Sequence, residues 1–211
     1  MITFEVKLRS TSLLCVGWSH PLALGPDVPF ARRRTEKGYE AFIPGSSFKG
    51  ALRSSASRIA KAYSFSSCGE VRPELIHKGD SNVCDVCELF GIPGSRVPST
   101  LIVSDLNPLN EVEFIPLTRI RLEDISLKAA EGALFTTEYC PCAEFKGMLT
   151  LRRGANRLLG LLLVSLAELR LGRFGKSSII DLKIEKDREL REVLDPRWHP
   201  LLDELEEWLW S

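Results

Sequence analysis

The sequence predicts an α+β fold. Three observations carry that expectation. Ile2, Phe4, Val6 and Leu8 alternate with polar residues as a half-buried strand requires; residues 48–63 repeat apolar side chains at helical spacing; and strand patterns at 100–103, 146–151 and 178–184 interleave with a second helix at 156–171. The first strand covers residues 2–9, with the apolar stretch 13–16 continuing it or pairing with it. Residues 17–40 hold three prolines and three glycines, a composition that supports neither a helix nor a buried strand, so a loop is expected. Pro44-Gly45 then turns the chain, Ser46 or Ser47 can cap, and Phe48, Ala51, Leu52, Ala56, Ile59, Ala60 and Tyr63 follow at helical spacing. Lys49, Arg53, Ser57 and Lys61 fall four apart on the opposite face and form a basic ridge.

Residues 65–98 are rich in Gly, Ser, Pro and Cys without a long periodic segment, which marks an insertion. Residues 117–122 and 133–139 bracket a polar stretch and predict a projecting hairpin within 116–141, with Arg119 and Arg121 on one face by period two. The helix at 156–171 is apolar nearly all round, ends at Gly172, and belongs in the core. Residues 198–210 predict a last amphipathic helix whose tryptophans pack rather than stack on bases. Strand, helix, strand, hairpin, strand, helix, strand is the order of a ferredoxin-like core, here in a single domain spanning 1–211 with insertions at about 65–98 and 116–141.

Composition narrows the function classes. The longest apolar run, 158–169, is broken by Gly160, Ser165 and Glu168 and falls short of the roughly 20 residues a membrane span needs. The alternating N-terminus lacks the continuous apolar stretch of a signal peptide, so a cytoplasmic protein is expected, in which cysteines are thiols or metal ligands. A net charge of zero hides an asymmetry. Residues 1–61 carry ten Lys/Arg against four acids, a net of +6, and residues 181–211 carry ten acids against five bases, a net of −5. One face can then attract a polyanion while the molecule stays neutral.

Two constellations carry chemistry. The turn 44–47 opens a helix, where unpaired N–H groups and the helix dipole accept a phosphate, and Lys49 and Arg53 add positive charge beside it. The same residues also fit an ordinary capped helix. In the insertion, Cys84 and Cys87 place two thiolates on one small loop, as tetrahedral zinc prefers, and Cys68 with His77 can complete a structural Zn²⁺ shell. Cys140 and Cys142 are a rival source of ligands, and Cys15 reads as a buried thiol. His20, with no placed partner, reads as a loop residue rather than a general base.

The run Ile43-Pro44-Gly45-Ser46-Ser47-Phe48-Lys49-Gly50-Ala51-Leu52-Arg53 resembles the signature of the RAMP superfamily, above all of the backbone subunits of type III CRISPR effector complexes. Further pieces follow in order. The segment Asp27-Val28-Pro29-Phe30-Ala31-Arg32 is similar to that family's D-x-P-x-x-R loop, and Cys84-Asp85-Val86-Cys87-Glu88-Leu89-Phe90-Gly91 to its C-x-x-C-x-L-F-G stretch. Residues 118–135 resemble its thumb, and Gly172-Arg173-Phe174-Gly175-Lys176 a compressed form of its glycine-rich loop. The resemblance implies an RNA-recognition-like core that polymerises along a guide (CRISPR) RNA with copies of itself and other RAMP subunits, each thumb wedging between guide and target RNA. It implies a first-helix contact with guide RNA, in agreement with the basic ridge, and RNA phosphates are expected at Arg32, Arg33, Ser47, Lys49, Arg53, Arg119, Arg121 and Lys176. It also implies that Asp27, an acid in a Gly/Pro-flanked loop near three arginines, supports Mg²⁺- or Mn²⁺-dependent cleavage of paired target RNA, unless it only caps a turn. A non-catalytic structural subunit and a free-standing processing endoribonuclease are the alternatives.

Overall fold

The computed structural model describes residues 1–18, 25–36, 38–70, 72, 76, 83–96, 98–122 and 134–210. At its centre lies β1 (Ile2–Ser10), whose even residues are buried and whose odd residues are partly exposed. That period-two pattern gives one face to a core and the other to polar pairs. A short hairpin, β2 (Arg32–Thr35) and β3 (Gly38–Ala41), precedes α1 (Gly45–Ile59). The insertion contributes α2 (Asp85–Phe90). Then come β4 (Leu101–Val103), β5 (Asn107–Pro108), the hairpin strands β6 (Ile115–Arg119) and β7 (Phe135–Tyr139), and β8 (Glu144–Leu151). A 3₁₀ turn leads into α3 (Leu159–Leu171), followed by β9 (Ile180–Ile184), α4 (Arg188–Val193) and α5 (His199–Leu205).

The main sheet is antiparallel in the order β4-β8-β1-β9, with β5 also on β8. Its register runs from Ile2 opposite Leu151 to Arg9 opposite Glu144, and from Val6 opposite Ile184 to Ser10 opposite Ile180. Helix α1 packs on α3 and β4, and α3 packs on β9, so both long helices cover the face that buries Phe4, Val6 and Leu8. The other face carries charge pairs across strands: Lys7 with Glu185 at 2.6 Å and Lys146 with Glu5 at 3.8 Å. No helix among the described residues is long and apolar enough to cross a membrane.

Three expectations need correction. The loop at 17–40 contains the β2–β3 hairpin, with Arg32 opposite Ala41. Its residues do not alternate apolar and polar; cross-strand polar pairing, such as Arg33 with Glu40 at 2.9 Å, holds it instead. The apolar stretch 13–16 makes an isolated bridge from Leu14 to Cys140 rather than a second strand. The helix expected over 198–210 ends at Leu205. There the buried Arg170 guanidinium takes the carbonyl oxygens of Glu204 and Glu207, and Asp181 accepts the Trp210 N–H at 2.8 Å, drawing the chain out of helical geometry. Of the tryptophans expected to pack, Trp198 is buried against Phe65 and Trp208 lies under Arg9 at 4.5 Å, but Trp210 is 51% exposed.

Candidate RNA interface and metal centre

The turn that opens α1 is fixed by close packing. A side chain at Gly45 would meet the carbonyl oxygens of Val103 and Ser104 at 2.6 and 2.7 Å, so only glycine fits. Neither serine caps the helix: Pro44 occupies the cap position, and Asp105 accepts the Gly45 N–H at 2.8 Å. One of the donors expected to meet phosphate is therefore already bound to a carboxylate. Ser47 is exposed and borders a cleft of about 340 Å³ with Cys15, Val28, Ala51, Phe174 and Lys176. The glycine-rich loop forms its far wall. Gly175 has φ +57°, and a β-carbon there would lie 2.2 Å from the Cys15 carbonyl oxygen, which accepts the Lys176 N–H at 3.0 Å.

The thumb base meets the cleft through Lys176. Lys176 reaches the Thr137 hydroxyl at 3.3 Å and lies 4.8 Å from the Phe135 ring, while Arg119 lies 5.3 Å from the Tyr139 ring. Burial pushes the Cys15 thiol up, and the charges of Lys176 and Arg119 oppose that rise. Arg121, expected on the same strand face, is exposed and lies two residues past the end of β6.

Asp27 is exposed, and its Oδ2 accepts the Thr136 N–H on β7 at 2.7 Å. Its neighbours extend this attachment. Val28 donates to the Thr136 carbonyl at 3.1 Å and accepts from the Glu138 N–H at 3.0 Å, and Phe30 donates to Glu138 Oε2 at 2.8 Å. Arg32 forms an ion pair with Glu138 at 2.8 Å and sits 4.3 Å from the Phe114 ring. The D-x-P-x-x-R loop is thus strapped to the thumb, with Asp27 and Arg32 both bound to β7. Arg33 pairs with Glu40 beside Phe42. Sequence reasoning missed Glu138 and Asp105. The first had a usable signal, an acid between Thr137 and Tyr139 in a strand whose neighbours are apolar or hydroxylic.

Two residues of the expected basic ridge, Lys49 and Arg53, turn inward, while Lys61 is exposed in the 3₁₀ turn that follows α1. Lys49 donates to the Leu101 carbonyl at 2.7 Å and to Ser99, and burial first, then the charges of Arg53 and Arg152, hold its amine below the usual lysine range. Arg53 donates to the Gly91 carbonyl and to Cys87 Sγ, the latter at 3.1 Å. The sulfurs of Cys68, Cys84 and Cys87 lie within 4.8 Å of one another, with Cys84 and Cys87 buried. Helix α2 begins directly after Cys84, so its first turn brings the C-x-x-C pair together. Burial and the Cys84 thiol push Cys87 up to about 12. Burial also raises Cys68, but hydrogen bonds from Glu70, Cys87 and Cys84 outweigh it and leave that thiol below its usual value. Three gathered thiols match the donor set of a structural zinc, which would hold them as thiolates. His77, the expected fourth ligand, and His20 lie outside the described residues. Cys140 is buried in its bridge to Leu14, with burial pushing it up to about 11, and stands apart from the cluster with Cys142.

No curated protein matches the chain. The sequence model of the RAMP superfamily matches residues 11–179, a span that takes in the cleft, the thumb strands, the signature helix and the cysteine cluster, and the chain belongs to the RAMP superfamily.

Proposed function

We propose that this RAMP protein is a guide-RNA-binding backbone subunit of a type III CRISPR effector complex, and that it cleaves paired target RNA with Mg²⁺ or Mn²⁺. The observation that carries the reading is the cleft: the start of the signature helix and the glycine-rich loop line it, and its cation, Lys176, reaches across to the thumb strand at Thr137. In this reading the β-α-β-β-α-β order makes a ferredoxin-like, RNA-recognition-like core, and residues 1–211 form one RAMP domain with insertions at about 65–98 and 116–141. Guide phosphates bind Ser47, Lys176, Arg119 and Arg121, with Arg33 at the margin. Arg32, Lys49 and Arg53 act mainly by holding the thumb, β4 and the insertion in turn, because each already bonds an acceptor there. The cysteine cluster takes one structural zinc, and the partners are guide and target RNA, further copies of this chain and other RAMP subunits, in the cytoplasm.

Asp27 sits exposed at the foot of the thumb with Oδ2 committed to Thr136, and among the described residues Oδ1 has no hydrogen-bond partner. A metal there would offset charge developing on the scissile phosphate. The test compares wild-type and Asp27→Ala complexes on labelled target RNA, with metal and with chelator. Cleavage lost with target binding unchanged is the expected result. Full activity in the variant would assign Asp27 to the thumb strap alone, and the bond to Thr136 is the specific observation favouring that second reading, a non-catalytic structural subunit. Lys176→Ala and Arg119→Ala should each weaken RNA binding on all sequences alike and lower the salt slope by about one.

A further inference from the structure

The cysteine cluster has a neighbour that its ligand set alone does not explain. Arg53, on the signature helix, divides its guanidinium between Cys87 Sγ at 3.1 Å and the carbonyl of Gly91. Gly91 ends α2, with φ +96°, so one side chain grips both a buried thiol of the C-x-x-C pair and the end of the helix that carries it. We propose that Arg53 is a positioning residue for the zinc centre, orienting the Cys87 thiolate and balancing its charge from outside the ligand shell. The inference rests on the zinc reading above.

The chemistry favours it. Three thiolates on a divalent cation leave an excess negative charge, and Cys87 is nearly inaccessible to water that could otherwise solvate it. A donated N–H from a cation stabilises the thiolate and fixes which way its lone pairs point, as outer-shell partners of metal ligands commonly do. Arginine suits the task because its rigid fork serves two acceptors at once, whereas lysine would offer a single point of charge. Lys49 supplies an internal contrast. It ties the same helix to Ser99 and to Leu101 at the start of β4, just past the insertion, without touching a sulfur.

The test uses the full chain, purified with zinc, its metal content fixed by elemental analysis and its zinc release timed with a chromogenic chelator. Arg53→Ala should release zinc about 10-fold faster than wild type, Arg53→Lys should fall between the two, and Lys49→Ala should stay close to wild type. Loaded with Co²⁺ in place of zinc, Arg53→Ala and Arg53→Lys should move the sulfur-to-cobalt charge-transfer band to lower energy, and Lys49→Ala should not. Should Arg53→Ala fail to fold, the band position in Arg53→Lys still decides. Equal release from Arg53→Ala and wild type, or equal acceleration in Arg53→Ala and Lys49→Ala, overturns the role of Arg53 while leaving the zinc reading intact. Wild-type protein that binds no zinc overturns both.

Discussion

Two arginines flank α3 and make the same kind of bond in opposite surroundings. Arg170, at the end of the helix, pairs with Asp181 at 2.6 Å, and the two side chains are 5% and 0% exposed. Arg157, just before the helix, pairs with Asp85 and Glu88 in the insertion, but its side chain is 56% exposed and theirs are 18% and 33%. In the dry pair every charge has a fixed partner: Arg170 also serves two carbonyls, and Asp181 also accepts the N–H groups of Leu182 and Trp210. Removing one member there strands a buried charge, whereas water replaces a lost partner at Arg157. The C-terminal segment is therefore locked by its ion pair. The insertion gains less from its own, and is held by the buried Val86, Leu89 and Phe90 of α2, by the cysteine cluster and by Arg53.

The comparison is sharpened first by Asp181→Ala, which should cost about 3–5 kcal/mol, read from the shift of the denaturation midpoint. A loss under about 1 kcal/mol would mean that the pair is far wetter than its geometry implies. The next effect is at the thumb base. Glu138→Ala should cost about 3 kcal/mol, because it leaves Arg32 and the Phe30 N–H without their acceptor, and hydrogen exchange should quicken in β6 and β7 while β1 stays protected. Zinc removal by chelation, or the double change Cys84→Ser, Cys87→Ser, should have a smaller global effect. It should lower the melting temperature by a few degrees and open residues 84–91 to exchange, leaving β1 and β8 unchanged.

The same contrast explains what was legible in the sequence. Elements held by burial announced themselves: the alternation of β1, the helical spacing of Phe48, Leu52 and Ala56, and the all-round apolar α3 are direct records of where water is excluded. Elements held by polar pairing did not. The β2–β3 hairpin has no apolar stripe, α4 is a six-residue turn capped by Asp187, and the end of α5 is set by a guanidinium that lies 34 residues upstream of the Glu204 carbonyl it binds. The site divides in the same way. Pairing of Cys84 with Cys87 follows from their spacing, whereas the approach of Cys68 and the inward commitment of Lys49 and Arg53 depend on the fold, the latter on carbonyl acceptors at Leu101 and Gly91 that no local pattern reveals.

The smallest effect tests the wet side of the comparison. Arg157→Ala should cost less than about 1 kcal/mol at neutral pH, and the difference should shrink in high salt because exposed pairs are screened. Asp85 gives the pair a pH signature. Burial tends to raise its carboxyl, but the Ser66 N–H, the Arg157 guanidinium and the Ser66 hydroxyl together hold it below its ordinary value of 3.8. A carboxyl lowered on folding contributes stability that is fully present above that ordinary value and is lost as pH falls through the lowered one. Wild type should therefore lose this contribution only in acid below about pH 4, and Arg157→Ala should lose less of it, since one of the groups that lowers Asp85 is gone. Denaturation midpoints at pH 7 and pH 3, each in low and high salt, measure both effects. A loss for Arg157→Ala at pH 7 as large as that for Asp181→Ala would erase the distinction between the two arginines, and would make the insertion's salt bridges, rather than its buried apolar side chains, its thiols and Arg53, what keeps it docked.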